Sequence, residues 1–341
     1  MPVGGRLLRE APFLYVHLQR TIKMAAKVFI DGEVGTTGLQ IKSRLEGRSD
    51  LELLSIDETR RKDTQARREM LNAADLVILC LPDDAAREAV SLIDNDKVRV
   101  IDASTAHRVA DGWVYGFPEM EGGQAERIAE AGRVTNPGCY ALTSVSILHP
   151  LIKTGMLPAG APVTINAISG YSGGGKKLIA AFEDPADVDY TQSPFYAYGL
   201  TLQHKHLPEI THWSGLDQPP VFVPSVGRYA QGMIVQIPLA LWSLPGKPSA
   251  AEVHSALGNY YAGRRFVSVA EMAETVAMSK LEPEGLNGTN ELRLHVFSNA
   301  AGDQTVVAGL IDNLGKGASG QAVQNLNIML GLPEDAGLAQ T

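Results

Sequence analysis

From residue 26 onward the chain alternates between short apolar runs and segments with helical spacing. "AKVFID" is followed by a glycine turn and then by Leu39, Ile41 and Leu45 on the apolar side of a helical pattern. "LELLSID" (51–57) reads as a second strand, "QARREMLNAA" as a helix, and "DLVILCLP" (75–82) as a strand buried on both faces. "DAAREAVSLI" is a further helix and "VRVIDAS" (98–104) a further strand. Strands alternating with helices across short loops predict a parallel sheet with right-handed crossovers.

After Cys139 the pattern changes. "PVTINAIS" (162–169), "MIVQIPLAL" (233–241), "ELRLHVFSN" (291–299) and "TVVAGLID" (305–312) alternate or are rich in strand formers. Longer segments rich in Gly, Pro and Tyr separate them, which predicts a mixed or antiparallel sheet. The last stretch, "SGQAVQNLNIMLGL", is helical, with Ala322, Leu326 and Leu330 on one face. No internal repeat or low-complexity tract interrupts the chain.

Composition narrows the partners. The 341 residues are 45% hydrophobic and 20% charged, long enough for two domains sharing a buried interface. A net charge of −8, with no basic run, argues against nucleic acid and anionic membrane as partners. No apolar segment approaches the ~18 residues that span a bilayer. Two cysteines build no disulfide framework, no Cys/His cluster has metal-ligand spacing, and a reducing, cytoplasmic compartment is expected. Residues 1–23 stand apart, with Arg6, Arg9, Arg20 and Lys23 against a single Glu10 ahead of a second methionine, Met24. They lack the apolar core and small-residue cleavage site of a targeting peptide, so an upstream start or a dispensable arm is the expectation.

Candidate chemistry begins in "DGEVGTTG". Gly32, Gly35 and Gly38 lie between a strand and a helix, where missing side chains allow a tight turn and let a pyrophosphate approach backbone N–H groups. The second strand ends in "SIDETRRKD", whose Arg60, Arg61 and Lys62 suit the 2′-phosphate of NADP. A solvated charged turn explains those cations as well, and Asp57 and Glu58 beside them suit a ribose.

Cys80, inside "DLVILCLP", reads as a small core residue. Cys139 follows Asn136-Pro137-Gly138, which breaks regular structure, and precedes "YALTSVSILHPLI", which has helical spacing. That puts its thiol at a helix N-terminus, where free N–H groups lower its pKa toward thiolate. A nucleophilic thiol needs a proton-transfer partner. "LQHKHLPEI" supplies His204 and His206, which would point the same way from an extended segment, with Pro208-Glu209 opening a short helix. Each histidine alone also suits a solvated surface. "ISGYSGGGKK" (168–177) combines two serines, four glycines and two lysines after a strand, suited to a phosphate or oxyanion or to a plain flexible loop. "DASTAHRV" places Ser104 and Arg108 at the carboxyl edge of the sheet, where α/β ligands bind. Arg108 is a candidate carboxylate clamp.

Together these strings resemble N-acetyl-γ-glutamyl-phosphate reductase, the arginine-pathway family, in its shorter form. The resemblance runs from about Lys27 to about Leu332 and rests on "GEVGTTG", "DASTAHRV", "YGFPEM", "NPGCYAL", "SGYSGGGKK", "HKHLPEI" and "DNLGKGASGQAVQN". It implies an α/β fold: a Rossmann-type parallel-sheet NADP-binding domain over 24–139, to which the C-terminal helix of 318–341 returns. An α+β catalytic and dimerisation domain with a mixed or antiparallel sheet would follow over 140–317.

The resemblance further implies Cys139 as nucleophile and His206 as the acid/base group, with His204 close by. Gly35, Thr36, Thr37 and Gly38 would bind the NADP pyrophosphate, and Asn313, Gly315 and Lys316 would pass near the nicotinamide. Ser104, Arg108, Glu119, Asn136 and the segment Ser169, Gly170, Ser172 and Gly173 would line the pocket of a small acyl-phosphate substrate. The implied reaction makes a Cys139 thioester and reduces it to an aldehyde. The apolar strands of the second domain suggest a homodimer or homotetramer. The competing expectations are an aspartate-semialdehyde dehydrogenase-like reductase, a reductase of a carrier-bound amino-adipyl phosphate, a dinucleotide sensor without catalysis, and a thiol hydrolase or acyltransferase.

Overall fold

A computed structural model describes residues 25–61 and 63–339; the N-terminal arm, Met24 and Lys62 lie outside the described residues. The first layer is a sheet of β1 (Ala26–Asp31), β2 (Leu51–Leu54), β3 (Leu76–Leu79), β4 (Arg99–Asp102), β5 (Val114–Tyr115) and β6 (Arg133–Thr135). Its order is β2-β1-β3-β4-β6-β5 and every pairing is parallel. Helices α1 (Thr36–Leu45), α2 (Thr64–Ala73), α3 (Asp83–Ser91) and α4 (Gln124–Glu130) connect the strands.

Successive strand residues point to opposite faces, so continuous apolar strands feed two cores. Val28, Ile30, Ile78 and Ile101 enter one cluster, and Phe29, Val77, Leu79 and Val100 the other. Each side chain so buried contributes about 1.5–3 kcal/mol. β2 is shorter than the 51–57 expected. Its last acidic residue, Asp57, instead accepts from the Thr59 N–H at 2.9 Å and caps the 3₁₀ turn Glu58–Arg60.

The second sheet comprises β7 (Thr164–Gly170), β8 (Phe195–Ala197), β9 (Val221–Gly227), β10 (Met233–Ala240), β11 (Val267–Val269), β12 (Leu292–Ser298) and β13 (Gln304–Ile311). Its order is β11-β12-β13-β10-β7-β9-β8, mixing antiparallel pairs with the parallel pairs β7–β9 and β11–β12. β9 escaped the sequence pattern because Pro224 lies inside it, a residue that argues against a strand interior.

Helices α5 (Cys139–Lys153), α6 (Gly175–Glu183), α7 (Leu207–Ser214), α8 (Ala250–Tyr260) and α9 (Met272–Ala277) accompany this sheet. α5 is buried along most of its length, and its Leu142 and Val145 share one core with Val235, Ile237, Val296 and Val307. The segment "SGYSGGGKK", open to reading as a loop, is a 3₁₀ turn (Tyr171–Gly174) running into α6, where Ala181 and Phe182 are buried. The chain ends on α10 (Gly320–Leu330), whose Ala322, Val323, Leu326 and Met329 pack in the same cluster as Val28 and Ile78 of the first sheet.

Candidate active site

β6 stops at Thr135 and α5 starts at Cys139, so three residues carry the chain from the carboxyl edge of the first sheet into the second domain. Gly138 caps the helix without a side chain, leaving the N–H groups of its first turn directed at the seam between the domains. A cavity of about 440 Å³ opens there. Cys139, His204 and His206 all line it, together with Arg108 and with Thr36 and Thr37 from the start of α1.

The histidines do not lie in an extended segment. The chain turns at Lys205-His206, and His206 takes helical dihedrals (φ −86°, ψ −9°) as the N-cap of α7. The turn is closed locally: the His206 N–H donates to Nδ1 of His204 at 3.2 Å. The rings therefore meet edge to face, with centroids 4.8 Å apart, instead of pointing the same way. Pro208 does fall in the first turn of α7. A Cβ added to Gly138 would lie 2.5 Å from Nε2 of His206, so the imidazole sits directly against the backbone before Cys139.

Glu209, in the first turn of α7, is not among the expected site residues, yet it ties these parts together. Its buried carboxylate accepts from Arg108 Nη1 at 2.9 Å, from the Tyr115 hydroxyl at 3.0 Å and from the Gly138 N–H at 2.9 Å. The only sequence signal was its place in the first turn of a helix. Arg108 also gives Nη2 to the Ala103 carbonyl at 3.2 Å, and Trp213 Nε1 donates to the Arg108 carbonyl at 2.7 Å. Its guanidinium thus lines the cavity with its charge balanced by Glu209 and with Nε without a partner.

The protonation states follow from this packing. Burial holds His206 well below the usual histidine range, and the Arg108 charge adds to the effect. Burial likewise brings His204 down to about 4, so both rings are neutral near pH 7. The Cys139 thiol is pushed up by burial, against the opposing pull of the Tyr140 N–H, Arg108 and Lys205. Desolvation outweighs the helix terminus and shifts Cys139 from the expected thiolate toward a thiol, in a cavity shared with a neutral imidazole. Cys80 follows the carboxyl end of β3, half-buried and packed against the cluster of Val28 and Ile78, and burial raises its thiol to about 12.

Among the expected substrate residues, Arg108, Asn136, Ser169, Gly170, Ser172 and Gly173 line the cavity. Ser104 does not; its hydroxyl donates to Asp102 at 2.7 Å beneath the sheet edge. Glu119 does not either, and its partner is Lys316, itself expected near the nicotinamide: Nζ donates to Oε1 at 2.8 Å with both side chains buried. Gly315 is buried in the π-helical turn Gly315–Ser319, against the Thr289 carbonyl. Asn313 does line the cavity, accepting from the Gly232 N–H at 2.7 Å and donating to Ser172 Oγ at 3.1 Å. Cavity residues that the motifs did not single out include Lys205, Tyr196, Tyr198 and Leu178.

The glycine loop has the form of a dinucleotide cradle. Gly32 is left-handed (φ +91°), and a Cβ on Gly38 would overlap the Gly32 carbonyl, so α1 begins as close to β1 as backbone allows. Gly35 is its N-cap, and Thr36 and Thr37 bring the first turn into the cavity. Beyond β2, Arg60 pairs with Asp63 at 3.1 Å, while Arg61 reaches back to Glu33 in the glycine loop at 3.2 Å. Arg61 therefore stands beside the cradle and Arg60 is turned along its own loop. Among the described residues no cluster of His, Cys, Asp or Glu is arranged to hold a metal ion, and no helix is long and apolar enough to cross a membrane.

Residues 27–131 match the semialdehyde dehydrogenase NAD-binding domain, and residues 139–313 match the semialdehyde dehydrogenase dimerisation domain. The chain is 53% identical over 321 residues to N-acetyl-gamma-glutamyl-phosphate reductase 2 of a Nostoc species, covering 92% of this chain and 99% of that protein. It is 54% identical over 309 residues to N-acetyl-gamma-glutamyl-phosphate reductase of a Chelativorans species, covering 90% and 99%. In fold it is similar to the crystal structure of aspartate semialdehyde dehydrogenase II from Vibrio cholerae, with a TM-score of 0.68 at 14% identity over 90% of this chain and 99% of the other. The presented cysteine, its paired histidines, the glycine cradle and relatedness above half identity along nine-tenths of the chain lead to one assignment: this protein belongs to the N-acetyl-γ-glutamyl-phosphate reductase branch of the NADP-dependent semialdehyde dehydrogenases.

Proposed function

We infer that the chain reduces N-acetyl-γ-glutamyl phosphate to N-acetylglutamate semialdehyde and phosphate with NADPH, a step of arginine biosynthesis. One observation carries this reading: Cys139 at a helix start, a neutral His206 and the first turn after the glycine cradle all open into one cavity. Gly35, Thr36, Thr37 and Gly38 would hold the pyrophosphate, Arg61 the 2′-phosphate, and Asn313 the segment that borders the nicotinamide.

His206, neutral at rest, takes the Cys139 proton as sulfur bonds to the acyl carbon. The carbon–oxygen bond to phosphate breaks, its electron pair leaves with the phosphate, and His206 passes the proton to that oxygen. NADPH, when bound, supplies the hydride that the thioester carbonyl accepts and an acid would not. The N–H groups opening α5 hold the resulting oxyanion. As the carbon–sulfur bond breaks, the electron pair returns to sulfur and His206 relays a solvent proton to it. One proton is consumed per turnover. His204, whose Nδ1 is occupied by the His206 backbone, fixes the turn that aims His206.

The domains divide this work: 24–139, which ends on the nucleophile Cys139, holds the cofactor with the returning segment of 318–341, and 140–317 hold the paired histidines and the interface of a cytoplasmic homo-oligomer. The test is a substrate comparison run in the phosphorylating direction. With phosphate and NADP, N-acetylglutamate semialdehyde should support cofactor reduction, aspartate semialdehyde should not, and Cys139→Ser should abolish it. Absence of turnover with the acetylated aldehyde rejects the reading.

A further inference from the structure

The cavity carries an imbalance of charge. No carboxylate lines it, and only two of its lining residues are permanent cations, Arg108 and Lys205. The Arg108 charge is balanced by the buried Glu209, and its guanidinium also donates to the Ala103 carbonyl while Nε is left without a partner. Lys205 is different. Lys205 lines the cavity with its side chain exposed, and among the described residues no ion pair joins its ammonium group to a carboxylate. The turn that holds it is rigid on both sides: the His204 ring is packed among Tyr140, Tyr198 and Phe222, and His206 caps α7. A free ammonium group on a fixed turn is an anion site waiting for a ligand.

Resting on the proposed reaction, we propose that Lys205 is the residue that binds the phosphoryl group, holding it on the acyl phosphate and as the free ion when the reaction runs in reverse. The substrate brings two anions, and geometry separates them. The phosphoryl oxygen is bonded to the carbon that Cys139 attacks, whereas the α-carboxylate lies several bonds away. The Lys205 charge acts on the reacting group itself, since it pulls down the pKa of Cys139 and of both neighbouring imidazoles. A cation lining the cavity in which Cys139 reacts is placed to meet the leaving group. In reverse, a phosphate oxygen bonds to the thioester carbon, the carbon–sulfur bond breaks and its electron pair returns to sulfur; Lys205 offsets the charge that phosphate carries into the site.

The experiment compares the full-length protein with Lys205→Met and Lys205→Arg. In the phosphorylating direction, Lys205→Met should raise the KM for inorganic phosphate by roughly tenfold to a hundredfold, the range for one lost charge-assisted hydrogen bond. The KM for the aldehyde and the Kd for NADPH should stay within about twofold, and Lys205→Arg should restore most of the phosphate affinity. A second arm needs no turnover. Inorganic phosphate should slow alkylation of Cys139 by iodoacetamide in the parent protein and fail to do so in Lys205→Met. A rise in the aldehyde KM instead would assign Lys205 to the carboxylate, and unchanged constants would leave it no anion; either result overturns the proposal. If the parent protein does not use the acetylated aldehyde, the reaction is wrong, yet phosphate protection still decides the role of Lys205.

Discussion

At the scale of the residue, Cys139 shows two physical effects in opposition. The start of α5 favours a thiolate, as its position after Asn136-Pro137-Gly138 suggested, but the protein around the sulfur raises its pKa and wins. On the proposed mechanism the proton rests on sulfur and the neutral His206 receives it. A raised thiol pKa means that the reactive form grows about tenfold per pH unit until the pKa is passed. Alkylation of the free enzyme by iodoacetamide should accordingly climb throughout about pH 6 to 9, without the neutral-pH plateau of a helix-activated thiolate. A rate already level at pH 7 would show that the N-terminus of α5 prevails. The motif identified which sulfur is presented; it held nothing about how much protein surrounds that sulfur, because part of what surrounds it comes from distant segments such as those of His206 and Gly317.

At the scale of the element, regular patterns were legible and locally closed turns were not. The parallel strands and their helices announced themselves because strands buried on both faces must be apolar throughout. The glycine spacing was equally direct: Gly38 touches the backbone of Gly32, and no side chain fits between them. Gly38→Ala should push α1 away from β1 and raise the Kd for NADPH, read by fluorescence titration, by at least about tenfold while circular dichroism stays that of the parent. An unchanged Kd would show that the loop does not cradle the cofactor. The extended reading of "HKH" failed for a tertiary reason. Glu209 is anchored to Gly138, Tyr115 and Arg108, which draws the start of α7 back to His206 and forces a turn where the residues alone favoured a straight run.

At the scale of the molecule, two residues expected at the active site turn out to hold the domains' framework. Lys316 and Glu119 are paired in the dry interior with Gln324 of α10, and the ammonium group also lies 5.7 and 5.4 Å from the ring centres of Phe117 and Phe266. The turn that carries Lys316 presses on Cys139: a Cβ on Gly317 would lie 2.8 Å from Cβ of Cys139. Removing one partner of a buried pair leaves the other charge uncompensated, so Lys316→Met should cost about 3–5 kcal/mol in urea unfolding. Adding Glu119→Leu should recover most of that loss, since apolar residues replace a buried pair at little cost. A single variant as stable as the parent would refute this assignment.

What the chain's own order of residues determined is what depends on neighbours a few positions apart: strand and helix periods, the glycine turn, the break before Cys139 and the motifs that mark its family. What only the tertiary structure decided depends on distance through space. Desolvation set the protonation of Cys139 and His206, long-range pairing joined Glu119 to Lys316 and Arg108 to Glu209, and Lys205 was left as the cavity's one uncompensated cation among the described residues. Charge and burial are sums over everything packed around a group, and no local string of residues contains that sum.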